Sequence, residues 1–243
     1  MKHDRTETHG QTSERVPEET FGVVEDALYN LWGVANELAR IRPPRPRYYR
    51  VTIFGSSRVR PGDDVYDQVR QLAVDLTEMG CDIVTGGGPG LMQAANEGAR
   101  IGDPENVTRS FGLPIHLPSR EEEPNPFVEK IYHHRTFFTR LHHFVRLSSA
   151  FIVVPGGIGT LLETALVWQL CQVQHVKDVP LIFIGEMWEE LVEWAKRHML
   201  SNDPQLASPQ DLDLAFCVPD VAGACAIIAE RKAAFDAEAA GSS

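Results

Sequence analysis

At 243 residues, 43% of them hydrophobic, the chain can build one large α/β domain or two small ones. A formal net charge of −11 argues against a general nucleic-acid binder, yet leaves room for a small anion held by local N–H groups. The four cysteines, Cys81, Cys171, Cys217 and Cys225, form no CxxC pair, which favours a reducing cytoplasm over a disulfide framework, and no apolar run reaches the roughly 18 residues of a membrane span.

Residues 1–18 are polar, lack the apolar core of a signal peptide, and are expected to form a disordered tail. Residues 21–41 place Val23, Ala27, Leu28, Leu31, Val34 and Leu38 at helical spacing, and the prolines of RPPRPR at 42–47 stop that helix. Residues 19–48 therefore read as a helix with a proline-rich connector. Beyond them strands and helices alternate. Short apolar runs at 49–54 and 81–85, within 107–116, and at 150–154, 180–185 and 215–218 read as strands. Pro114 puts the third of these at an edge, or marks its end.

Between the strands, apolar residues recur at helical spacing. Tyr66, Val69, Leu72, Ala73 and Leu76 define a helix that Gly80 closes, and residues 91–99 define the next. Further helices are expected over 134–148, after the glycines at 156–159, around Trp188, Leu191, Val192, Ala195 and Met199, and from an Asp220 cap to about Phe235. Short connections and strict alternation imply a single α/β domain over 49–236, with a frayed tail at 237–243. Its core is a doubly wound, mostly parallel sheet of about six strands with helices on both faces.

Three strand ends carry loops of small residues: Gly55-Ser56-Ser57, Gly86-Gly87-Gly88-Pro89-Gly90, and Gly156-Gly157-Ile158-Gly159-Thr160. In an open α/β sheet such ends line the ligand crevice. Glycine lets backbone N–H groups approach a ligand, and a helix start favours an anion, so a phosphate is the natural occupant. The loops match neither a GxGxxG dinucleotide fingerprint nor a Walker loop with its Gly-Lys-Ser/Thr. Thr160-Leu-Leu-Glu163 has a second reading as a capping box, with Thr160 as cap and Glu163 reaching back. The histidine pairs His133-His134 and His142-His143 lack an HExxH pattern or a cysteine partner, so no metal is expected.

Taken together, VTIFGSSRV, VTGGGPGLMQAANEGA and the block RTFFTRLHHFVRL…FIVVPGGIGTLLE resemble the LOG (Lonely Guy) family, in its longer bacterial branch. The resemblance implies a Rossmann-like fold and a nucleoside 5′-monophosphate phosphoribohydrolase, which releases a free base and ribose 5-phosphate from AMP-like or cytokinin riboside 5′-monophosphates. It implies a catalytic pair that falls on Arg140 and Glu163. Gly55, Ser56, Ser57, Gly86, Gly87, Gly88, Gly90, Met92, Gly156, Gly157, Ile158, Gly159 and Thr160 would hold the phosphate or nucleotide. Glu122 and Gln169 are candidate base or ribose contacts. Leu141, Phe144 and His116 stand where the family carries a lysine, a methionine and an acidic residue. No cofactor is implied. A homodimer or higher oligomer is, and with the composition above the chain is expected in the cytoplasm with no nucleic-acid or membrane partner.

A different class of function competes with this one. Related Rossmann-like proteins bind molybdenum cofactor, so the chain could be a non-catalytic nucleotide or molybdenum-cofactor carrier. Retention of Arg140 and Glu163 favours the enzyme; Leu141 in place of the lysine favours the carrier. The family's older label, lysine decarboxylase, would need a Schiff-base lysine under pyridoxal phosphate, and none of the three loops holds a lysine.

Overall fold

Strands made of continuous apolar runs must be covered on both sides, and that requirement sets the architecture. The computed structural model describes residues 48–116 and 123–241, all within one compact unit that begins at Pro46. The expected tail, the helix at 21–41 and its connector lie outside the described residues, as does Glu122.

Among the described residues, β1 (Arg50–Phe54), β2 (Asp82–Thr85), β3 (Ser110–Gly112), β4 (Lys130–Ile131), β5 (Ala150–Val153), β6 (Leu181–Ile184) and β7 (Ala215–Val218) form one sheet. Its order is β4-β3-β2-β1-β5-β6-β7, and every pairing is parallel. The strand number is seven, not six. The extra strand, β4, has two exposed residues and so shows no apolar run to read. It pairs with β3, which is therefore not an edge; β3 ends before Pro114.

Side chains alternate between the two faces of the sheet. Val51, Ile53, Ile152 and Ile182 point into one core, with Tyr66, Leu72 and Leu76 of α1 (Asp64–Glu78), Leu91 and Ala95 of α2 (Leu91–Gly102), and Ile228 of α7 (Val221–Ala240). Phe54, Phe151, Val153 and Phe183 point into the other. There they meet Phe144 of α3 (Phe137–Leu147), Val167 of α4 (Ile158–Gln172), and Trp188 and Val192 of α5 (Glu186–Ala195).

Helix ends depart from the sequence reading where local chemistry decides them. Helix α3 starts at Phe137 because the Thr136 hydroxyl accepts the Thr139 N–H at 3.2 Å. A π turn, Lys196–Leu200, prolongs α5, and a short α6 (Pro209–Leu212) follows, opened by a capping box of Ser208 and Asp211. Asp220 does cap α7, accepting from the Gly223 N–H at 3.0 Å. That helix runs past Phe235 to Ala240 and takes in residues assigned to a frayed tail.

Candidate active site

The strand order reverses beside β1, so β1 and β5 are neighbours, in register from Val51 opposite Ala150 to Phe54 opposite Val153. That adjacency brings the three small-residue loops to one crevice at the carboxyl edge of the sheet. The main chain of Ser56 fastens them together. Its N–H donates to the Pro155 carbonyl at 3.1 Å, and its carbonyl accepts from the Leu91 N–H at 2.8 Å. The close approach needs a bare residue at 90: Gly90 has φ +73°, and a Cβ there would stand 2.4 Å from the Ser56 oxygen and 2.6 Å from the Ser57 carbonyl carbon. Gly55 packs against Val154 and Leu91 at the same junction.

Arg140 and Glu163 meet across this crevice. Arg140 Nη1 lies 3.0 Å from Glu163 Oε1, with the two side chains 12% and 13% exposed. Three things aim the guanidinium: its Nε donates to the Leu113 carbonyl at 2.7 Å, its Cζ lies 5.3 Å from the centre of the Phe144 ring, and Gly86 leaves it room. A Cβ on Gly86 would fall 2.2 Å from Arg140 Nη2 and 2.7 Å from the sulfur of half-buried Met92. Burial pushes the Glu163 carboxyl above its usual range, and the Arg140 charge opposes the rise.

The capping-box reading of Thr160 and Glu163 does not hold. Helix α4 begins at Ile158 with Gly157 as its cap and no side-chain cap bond. Thr160 is thus the third helical residue, buried over Gly156, and Glu163 sits a turn further along, where it pairs with Arg140 instead. The first N–H groups of α4 have no intrahelical partner, and their dipole favours an anion. Nothing stands within 4 Å of where a Cβ would lie on Gly157 or Gly159, so internal packing does not explain why these residues are small.

Gln169 is not brought to the pair. Six residues beyond Glu163, at about 100° each, turn it about 120° away around the helix. It lines an apolar cavity of about 370 Å³ with Trp168, Leu191 and Trp194, and its amide bonds Gln172 at 2.6 Å. The histidines pair differently from their order in the sequence. His134 Nε2 lies 3.1 Å from His143 Nδ1, and no third potential metal ligand joins them among the described residues. Burial, with neighbouring positive groups, disfavours the charged form of both rings: His134 titrates below its ordinary value, and His143 is pushed down to about 4.

A buried polar network under the Gly86–Gly90 loop escaped the sequence reading. Asn96 Oδ1 accepts from Thr85 Oγ1 at 2.7 Å and from Asn125 Nδ2 at 3.0 Å, while its own Nδ2 donates to Ser110 Oγ at 2.8 Å. The available signal was Asn96 itself, a polar residue among Ala94, Ala95 and Ala99 on the inward face of α2.

The family model described as "Possible lysine decarboxylase" matches residues 92–228, more than half of the chain. The chain belongs to this family. It is the family identified above from its loops as LOG. Among similar proteins, a pyrimidine/purine nucleotide 5′-monophosphate nucleosidase of Escherichia coli is 29% identical over 140 residues, 56% of this chain and 30% of that protein. The chain therefore spans about a third of the length of that relative. A cytokinin riboside 5′-monophosphate phosphoribohydrolase of Arabidopsis thaliana is 30% identical over 156 residues, 61% of this chain and 68% of that one. In solved structures the fold recurs in the molybdenum cofactor carrier protein of Chlamydomonas reinhardtii, at TM-score 0.58 and 19% identity, over 77% of this chain and 99% of the other. No described helix is long and apolar enough to cross a membrane.

Proposed function

We propose that this LOG protein is a nucleoside 5′-monophosphate phosphoribohydrolase, acting on AMP-like or cytokinin riboside 5′-monophosphates. One observation carries the reading: a nearly buried carboxylate, Glu163, is held against Arg140 at the crevice where three glycine loops converge. The names of the two relatives above support the reaction class.

Hydrolysis breaks the bond between the anomeric carbon and the base, adds water to that carbon, and delivers a proton to the departing base. Positive charge grows on the ribose as the base leaves. The Glu163 carboxylate stabilises that charge and orients the water. Arg140 holds the substrate by hydrogen bonds and charge, and assists the leaving base. Backbone N–H groups of the Gly86–Gly90 loop and of the α4 start, at Gly156, Gly157, Gly159 and Thr160, bind the 5′-phosphate. Fixing the phosphate fixes the ribose against Glu163, which raises the rate through orientation.

The carrier reading rests on fold likeness and on Leu141 in place of the family's lysine, whereas the ion pair at the crevice favours catalysis. The test is to incubate the protein with AMP, GMP, CMP, UMP and isopentenyl-AMP and to follow free base by chromatography. Base release by wild type, lost in folded Glu163→Gln protein, supports the hydrolase. Binding of a nucleotide without any release overturns it in favour of a carrier.

The working form is a cytoplasmic homodimer. Phe137, Phe138, Ile158, Leu161 and Leu162 are exposed at the starts of α3 and α4, and a second copy would cover them. The four cysteines are free thiols, as a reducing compartment keeps them. A monomeric mass by light scattering at micromolar concentration would contradict the dimer.

A further inference from the structure

In the proposed phosphoribohydrolase the Gly86–Gly90 loop cradles the phosphate, and that role requires its peptide planes to be held in place. We infer that Asn125, with Thr85 and Asn96 behind it, is the positioning residue that turns this loop into an anion site. The inference rests on the phosphoribohydrolase reading.

Asn125 is 7% exposed, and Thr85 and Asn96 are fully buried. The Asn125 Nδ2 group donates to the carbonyls of Gly87, at 3.1 Å, and Gly88, at 2.9 Å, and the Asn125 backbone N–H donates to the Gly87 carbonyl at 2.8 Å. Thr85 Oγ1 accepts the Gly87 N–H at 2.9 Å. Three consecutive peptide units of the loop, 86–87, 87–88 and 88–89, are thereby locked.

The lock has a direction. Gathering two carbonyl oxygens onto one amide removes their partial negative charge from the opposite side of the loop. A trans peptide holds its N–H opposite its carbonyl, so the Gly88 N–H points away from Asn125. Pro89 has no N–H to add, so the 87–88 plane matters most. Without the Asn125 side chain the Gly87 carbonyl keeps only the backbone N–H of residue 125 and the Gly88 carbonyl loses its Asn125 donor, so the 87–88 and 88–89 planes are held less firmly and can tilt an oxygen toward where the phosphate binds. The network is also closed: Asn96 holds the Asn125 amide, and Asn125 Oδ1 accepts the Phe127 N–H at 3.2 Å. None of these side chains is read as touching the substrate.

The test measures binding of AMP, ribose 5-phosphate and adenosine to wild type, Asn125→Asp and Thr85→Val by titration calorimetry and NMR. Aspartate keeps the shape of Asn125 but cannot donate to the two carbonyls; valine keeps the shape of Thr85 but cannot accept from Gly87. The expected result is folded variants with cooperative melting. Their Kd for AMP and for ribose 5-phosphate rises at least about tenfold, and adenosine binds as it does to wild type. Unchanged AMP affinity in a folded variant overturns the assignment. So does an equal loss for adenosine, which marks general loosening, and so does failure of both variants to fold, which makes the network a requirement of the fold. Wild-type protein that binds neither phosphate compound sinks the phosphoribohydrolase reading itself, and this inference with it.

Discussion

Arg140 Nη1 stands 3.0 Å from Glu163 Oε1, joining the helix that precedes β5 to the helix that follows it. Glu163→Gln tests what that carboxylate does. Glutamine still offers Arg140 an oxygen, and α4 is capped by Gly157, so the fold should survive. Base release is expected to fall by about two to four orders of magnitude, measured by product chromatography beside an unchanged circular dichroism spectrum.

Removing the other partner is a different perturbation. Arg140→Met leaves a buried carboxylate without its cation and should lower stability by about 1–3 kcal/mol. The double variant with Glu163→Gln should recover part of that loss. A double-mutant cycle in urea reads the coupling; additive effects would mean that the pair is not a stabilising contact.

Two glycines separate packing from ligand space. Gly86→Ala puts a methyl 2.2 Å from Arg140 Nη2, so it should displace the guanidinium and cut base release about a hundredfold or more. Gly157→Ala meets nothing within 4 Å, so its melting temperature should stay within a few degrees of wild type while nucleotide affinity falls. Equal affinity in Gly157→Ala and wild type would move the phosphate elsewhere.

The histidine pair makes stability depend on pH. Thr139 Oγ1 donates to the Thr136 carbonyl and so can accept from His134 Nδ1–H, which leaves His134 Nε2 to accept from His143 Nδ1–H. Burial disfavours the charged form of both rings. Burial, with His134, Arg146, His142 and Arg50 nearby, holds His143 at about 4. The unfolded ring takes up its proton near about 6.5. Between those values the unfolded state binds more protons, so this contribution is full above the upper value and is lost as pH falls toward the lower. Melting temperature should drop on acidification through that window, and His143→Gln should flatten the slope.

Much of this was legible because the relevant signals are local. Apolar runs of β-branched residues gave the central strands, and glycines at their ends located the crevice. Arg140 was placed by resemblance and Glu163 by motif, and the fold brings them together. What was hidden depends on partners distant in sequence. The strand Lys130–Ile131 has no pattern of its own and exists because β3 offers an edge. Thr160 and Glu163 have the spacing of a capping box, but the helix starts earlier and Arg140 claims the glutamate. Asn125 lies in an irregular stretch, and its partners Gly87 and Asn96 are 38 and 29 residues away.

The stitch at Ser56 is made of main chain only, an N–H to Pro155 and a carbonyl to Leu91. Substitution at position 56 by any residue but proline alters the side chain but not the groups that hold the three loops in register. The frame of the crevice is therefore insulated from mutation at this point, while side chains around its rim remain exposed to selection. If the phosphoribohydrolase proposal holds, a lineage can change which base it accepts by drifting at the rim without unfastening the end proposed to meet the phosphate.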